Sequence, residues 1–100
     1  MHARVAYYQF KPGKAEEVAT KAEEGMLPIF RKHAGFHSYE AIITGADTGY
    51  TISIWENEQQ AAEAVQAAAG WVKENIADLV VSVQNHVGRV RFSHRANEKQ

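Results

Sequence analysis

The chain has 100 residues, of which 45% are hydrophobic and 23% charged, with a formal net charge of −1 and no cysteine. That length makes one domain, able to bury about two thirds of the surface its unfolded chain exposes, and the composition is that of a folded globular protein. The charge balance excludes the clustered basic surface of a nucleic-acid binder, and the missing cysteines exclude disulfides, thiolate metal sites and a cysteine nucleophile.

No apolar run approaches the roughly 20 residues of a membrane span, and the amino terminus lacks the basic and apolar regions of a signal peptide, so a cytoplasmic protein is expected. Arg89, Arg91, Arg95 and Lys99 are scattered and read as a solvated edge, not a phosphate-binding patch.

In chain order, His2 to Phe10 is a β-branched and aromatic run that predicts strand one, and "KPGK" after it is turn chemistry. From Lys14 the period changes. Ala15, Val18, Ala22, Met26, Ile29 and His33 recur at helical spacing, with Glu16, Glu17, Lys21 and Glu24 opposite, which predicts an amphipathic helix with a bend at Pro28. "HAGF" stops it, with Gly35 as the left-handed residue.

Phe36 to Thr44 predicts strand two, and "TGADTG" turns it as a hairpin into strand three, "GYTISIW". Asn57 and Gln60 have the spacing of a capping box for helix two, whose stripe is Ala61, Val65, Ala68, Val72, Ile76 and Leu79. Gly70 is a candidate break in that helix. Val81 to Phe92 predicts strand four, with Gly88 a bulge candidate, and the polar residues beyond it form a frayed tail. The domain is expected over residues 1–94 and the polar tail over 95–100.

The order β-α-β-β-α-β is that of a ferredoxin-like α+β fold, with sheet order 4-1-3-2 and both helices on one face. Strands one and three nevertheless carry apolar residues on both faces, including Val5 and Tyr7 against Ala6 and Tyr8, and Ile52 and Ile54 against Trp55. Two helices cover one face only. The other is expected to pack on a second copy in a symmetric homodimer.

The "KPGK" turn before an acidic helix, "GF" opening strand two and "SIWEN" at the strand-to-helix junction resemble the antibiotic biosynthesis monooxygenase-like family of dimeric α/β barrels, over roughly Val5 to Phe92. The resemblance implies a small cavity between sheet and helices and, in some members, oxygenation of electron-rich quinols or polyphenols with no metal, flavin or other cofactor. Trp55 matches the tryptophan that lines the site in the polyketide-quinone oxygenases. Their asparagine, tyrosine and arginine are replaced here by Thr51, Ala61 and Asn75, and the helix-two histidines of autoinducer-processing, quinol-oxidising and haem-degrading relatives are missing.

Trp55 beside the small hydroxyls of Thr51 and Ser53 is the expected ligand pocket, weighed against Trp55 as a core plug bonded locally through its indole. His37 and Tyr39, taken to share a face of strand two, are the candidates for deprotonating a hydroxylated substrate, weighed against an edge meeting solvent or the partner. His37 and His86 fall on opposite edge strands, so no metal site is expected within one subunit. Two functions stand: a cofactor-independent monooxygenase acting on a small hydrophobic or aromatic ligand, and a non-catalytic ligand-binding or dimerisation module, which the missing polar constellation motivates.

Overall fold

A computed structural model describes residues 1–96. The elements run β1 (His2–Phe10), α1 (Ala15–Lys32), β2 (Phe36–Gly45), β3 (Thr48–Trp55), α2 (Glu58–Asn75), a single 3-10 turn (Ala77–Leu79) and β4 (Val80–Arg89). The sheet is antiparallel in the order β2-β3-β1-β4, the ferredoxin-like arrangement expected. All six strands and helices begin within two residues of where turn and cap chemistry puts them. Gly13 and Gly35 take the positive φ that the "KPGK" and "HAGF" turns require, and a Cβ at Gly35 would run into the Gln60 side chain. The Asn57–Gln60 capping box is formed in both directions.

Several expectations are corrected. Helix α1 continues through Pro28 without ending there, but its buried row is Ala15, Val18, Ala22, Met26 and Phe30, so Phe30 takes the core position read for Ile29 and His33. A helix advances 100° per residue, and one position separates a core site from its flank. Helix α2 likewise passes through Gly70, whose missing side chain would face open space, and breaks only at Ile76. Its buried row includes Ala64, with Val65 half-buried beside it. Strand β4 ends at Arg89, not Phe92. Gly88 pairs regularly with Ala3, and the irregularity lies at the other end, between Gln9 and Phe10. The polar tail expected over 95–100 lies outside the described residues from position 97 on.

The core has two parts under the helices. One is an aromatic cluster in which Phe30 packs against Phe36, Tyr39 and Trp55 with ring centroids 6.4, 4.9 and 5.2 Å away. The other joins Ala6, Tyr8 and Phe10 of β1 to Ala15, Val18 and Ile76. Among the described residues no helix covers the opposite sheet face. Register places Val5, Tyr7, Ile52 and Ile54 there, with Ile42 and Tyr50, both more than a third exposed.

Candidate functional site

Between the two core clusters the layers do not fully meet. Register explains why. Across the helix-facing side of the sheet, one row is Ala6, Thr51 and Ala41, and the next is Tyr8, Gly49 and Ile43. The helices above offer further small side chains, Ala15, Ala19, Ala22 and Ala68, while Tyr8, Phe10, Tyr39 and Trp71 stand around them as spacers. Small residues facing small residues, held apart by large ones, leave a cavity of about 40 Å³. That is room for a few waters or one small chemical group. Gly49 matters to its floor, since a Cβ there would lie 3.0 Å from the Ile42 carbonyl oxygen and 3.4 Å from the Phe10 ring.

The walls are mainly hydrocarbon, with one polar corner. Arg4 sits on the central strand β1, on the same face as Ala6 and Tyr8, and is 1% exposed. Its Nε donates to Asn85 Oδ1 at 2.9 Å and its Nη2 to the Tyr8 hydroxyl at 3.1 Å. Its Nη1 is buried with no partner, and no carboxylate forms an ion pair with it among the described residues. A guanidinium is a permanent charge, and burying one without an opposite charge is costly. Thr51, also on the cavity wall, has a buried hydroxyl with no partner.

Tyr39 completes the corner. It pairs with Ser53, which pairs in turn with Arg4, so a small serine lies between the phenol and the guanidinium across the sheet. Burial pushes the Tyr39 phenol up to about 12, the neighbouring Tyr8 adds to this, and Arg4 pulls the other way. The phenol is therefore a hydrogen-bond donor near neutral pH, not a base. Among the described residues no histidine, aspartate or glutamate lines the cavity.

The structure separates the residues singled out from the sequence. Thr51 lies on the cavity wall, but Trp55 and Ser53 do not line it. Trp55 is fully buried in the aromatic cluster, and its indole Nε1 donates to Ser53 Oγ at 2.9 Å, which is the core-plug arrangement. His37 and Tyr39 do not share a face. A register shift between Phe36 and Ser38 breaks the alternation, so Tyr39 turns inward onto Phe30 while His37 stays exposed. There the His37 ring bonds the Glu56 carboxylate at 2.7 Å, and that contact holds the carboxyl below its ordinary value.

Arg4, Tyr8 and Asn85 were missed by sequence reasoning. The available signal was parity: Arg4 alternates with Ala6, Tyr8 and Phe10, the face destined for the helices, on a strand the topology makes central. Among the described residues no cluster of histidine, aspartate and glutamate is able to hold a metal ion, and no helix is long and apolar enough to cross a membrane.

The family model described as antibiotic biosynthesis monooxygenase matches residues 1–71. No curated protein matches the sequence. Among solved structures the fold is similar to that of NE2512, a protein of unknown function from Nitrosomonas europaea, at 18% identity and TM-score 0.76, covering 97% of this chain and 95% of that one. It is also similar to a monooxygenase from the gene ActVA-Orf6 of Streptomyces coelicolor, in complex with the ligand nanaomycin D, at 15% identity and TM-score 0.76 over 94% of this chain and 90% of that one. SnoaB, a cofactor-independent oxygenase from Streptomyces nogalater, has 13% identity and TM-score 0.66 over 92% and 94%. At these identities the likeness carries the fold.

Proposed function

Because the chain belongs to the antibiotic biosynthesis monooxygenase family, we propose that it oxygenates a small, electron-rich hydroxylated aromatic, of the quinol or polyphenol type, held with its ring oxygen at the cavity between sheet and helices, without a cofactor. The observation that carries this reading is the polar corner of Arg4, Tyr8, Tyr39 and Thr51 inside otherwise hydrocarbon walls. An apolar pocket with a few convergent polar groups is the usual form of a small-molecule site.

In such a reaction the substrate supplies all the electrons. A naphthol-type ring carbon loses its hydrogen and gains one oxygen atom of O2 as a carbonyl, the hydroxyl carbon becomes the second carbonyl, and the other oxygen atom leaves with two hydrogens as water. The chain's part is to bind the ring, exclude water and stabilise negative charge on the ring oxygen, for which Arg4 Nη1 has a free hydrogen. One observation favours a ligand-binding module instead: with no histidine or carboxylate on the cavity wall, no side chain among the described residues is placed there to take the substrate's proton.

The same reading takes the uncovered sheet face as a homodimer interface. At about 25 cal/mol per Å², burying even roughly 300 Å² of the apolar row through Val5, Tyr7, Ile52 and Ile54 contributes several kcal/mol to association.

Oxygen uptake with a panel of naphthols and anthrones in metal-free buffer tests the proposal, comparing wild type with Arg4→Met shown by circular dichroism to be folded. Uptake that is lost in the folded variant is expected. No uptake above buffer across the panel would favour the binding module.

A further inference from the structure

We infer that the cavity's inner corner is an anion subsite, and that the ligand is a singly charged aromatic whose carboxylate or ionised ring hydroxyl docks on Arg4 Nη1 and Thr51 Oγ1. This rests on the small-molecule reading above and sharpens it to the ligand's charge state.

Three independent features converge. Arg4 is 1% exposed and lacks an ion-pair partner among the described residues, so its charge is compensated only by the neutral acceptors Asn85 Oδ1 and Tyr8 Oη. Both the orphaned Nη1 and the orphaned Thr51 hydroxyl belong to side chains on the wall of one cavity. Native proteins pair nearly all such buried groups with protein, water or a bound group, and two exceptions on one cavity wall mark where such a partner sits. Finally, the cavity wall carries no base, so a ligand whose charge Arg4 is to hold arrives already ionised.

Size assigns the rest of the ligand. The inner cavity of about 40 Å³ takes a head group and not a ring. Next to it, between α1 and the edge strand β2, lies a groove of about 350 Å³ whose walls include Ala19, Ala22, Leu27, Tyr39 and Ala41. Ala19, Ala22, Tyr39 and Ala41 line both spaces, so the Tyr39 side chain stands at their partition. A one- or two-ring aromatic body fits the groove, with its anionic head passing Tyr39 to reach Arg4. Glu16 and Glu23 on the groove repel a second negative charge, which selects a monoanion.

The probes are 1-naphthoate against its uncharged methyl ester, and 1-naphthol titrated through its own ionisation, with binding read by isothermal titration calorimetry and ligand fluorescence. Wild type is expected to bind naphthoate, or the ionised naphthol, roughly ten- to hundredfold tighter than the neutral counterpart, the scale of a hydrogen bond to a charged group. Arg4→Met should abolish the preference for the charged form over the neutral one; Thr51→Val should reduce it severalfold. A response to naphthoate alone identifies a carboxylate ligand, and to ionised naphthol alone a ring oxyanion.

Equal affinity for charged and neutral forms overturns the subsite, as does a preference that survives Arg4→Met, or binding of neither probe at millimolar concentration. The acid-to-ester comparison needs only wild-type protein, so a variant that fails to fold leaves the test intact. Oxygen uptake on uncharged quinols with no anion preference would overturn the subsite and spare the oxygenase reading.

Discussion

Replacing Arg4 by methionine separates a structural arginine from a functional one. In the folded chain the guanidinium donates two hydrogen bonds, at 2.9 and 3.1 Å, and buries a third nitrogen unpaired. Hydrogen bonds from a charged group are worth about 1.5–3 kcal/mol each, so the two together contribute roughly 3–6 kcal/mol. Against them stands the burial of an ion with no opposite charge beside it, which costs several kcal/mol even after relaxation, and an orphaned donor, which costs about 1–3 more. The two sides nearly cancel. Methionine fills a similar volume with a flexible apolar chain, Asn85 is exposed and turns to water, and the Tyr8 hydroxyl keeps its own hydrogen to donate.

Arg4→Met is therefore expected to be as stable as wild type, within about 1 kcal/mol, or slightly more stable. For a domain of this size 1 kcal/mol moves Tm by about 4–8 °C. Thermal melts at one fixed protein concentration check this, with urea denaturation as the second measure. If Arg4 instead completes a compensated structural network, its removal should cost about 3–5 kcal/mol, as breaking a buried ion pair does. A fall in Tm of more than about 12 °C would refute the reasoning, since it would mean that the chain already satisfies the charge.

Tyr39 should ionise near pH 12 in a difference titration of wild type against Tyr39→Phe at the tyrosinate absorbance band. Since its folded value lies above the unfolded value of 10.0, stability from this group is complete below pH 10 and falls by up to about 2 kcal/mol as pH rises toward 12, a fall that Tyr39→Phe removes. Ile54→Lys puts a charge on the uncovered face and should give a monomer, or an unfolded chain, in sedimentation; a dimer of unchanged stability would place the interface elsewhere. Gly25→Ala and Gly70→Ala make the same change in two helices with opposite expected sign. At Gly25 the new Cβ lands 2.6 Å from Trp71 Nε1 and forces the indole or the helices apart, for a net loss of about 1 kcal/mol or more, whereas at Gly70 it meets open space and helix propensity gains up to about 1 kcal/mol. Equal effects in urea denaturation would show that the helices do not cross where Gly25 meets Trp71.

The fold was legible because its signals are local and redundant. A glycine at each left-handed turn, a capping box at Asn57 and a change of period at Lys14 each mark a boundary by themselves, and element order then leaves few topologies. Where one local rule stood alone it failed. Gly70 is unfavourable within a helix, yet packing of α2 on the sheet outweighs a propensity cost of about 1 kcal/mol, and the helix does not break there. The bulge at the start of β2 has no marker in "GFHSYE", and one slipped residue was enough to send Tyr39 inward and leave His37 in solvent.

The site was less legible because a cavity is a property of what is missing between elements. Trp55 drew attention as a large ring beside small hydroxyls, but one of those hydroxyls accepts its indole hydrogen, and Phe30 and Phe36 fill the space around it. The space opens instead where Ala41, Thr51 and Gly49 of the sheet face Ala19, Ala22 and Ala68 of the helices, six small residues from four elements that only the register aligns. Arg4 was readable in principle. An arginine on the even positions of "HARVAYYQF" is discordant with Ala6, Tyr8 and Phe10 once strand one is central, and a discordant buried charge is where a sequence departs from what stability alone would choose. Such a departure has a physical cost in the empty protein, and a ligand that supplies the missing negative charge is what turns that cost into binding energy.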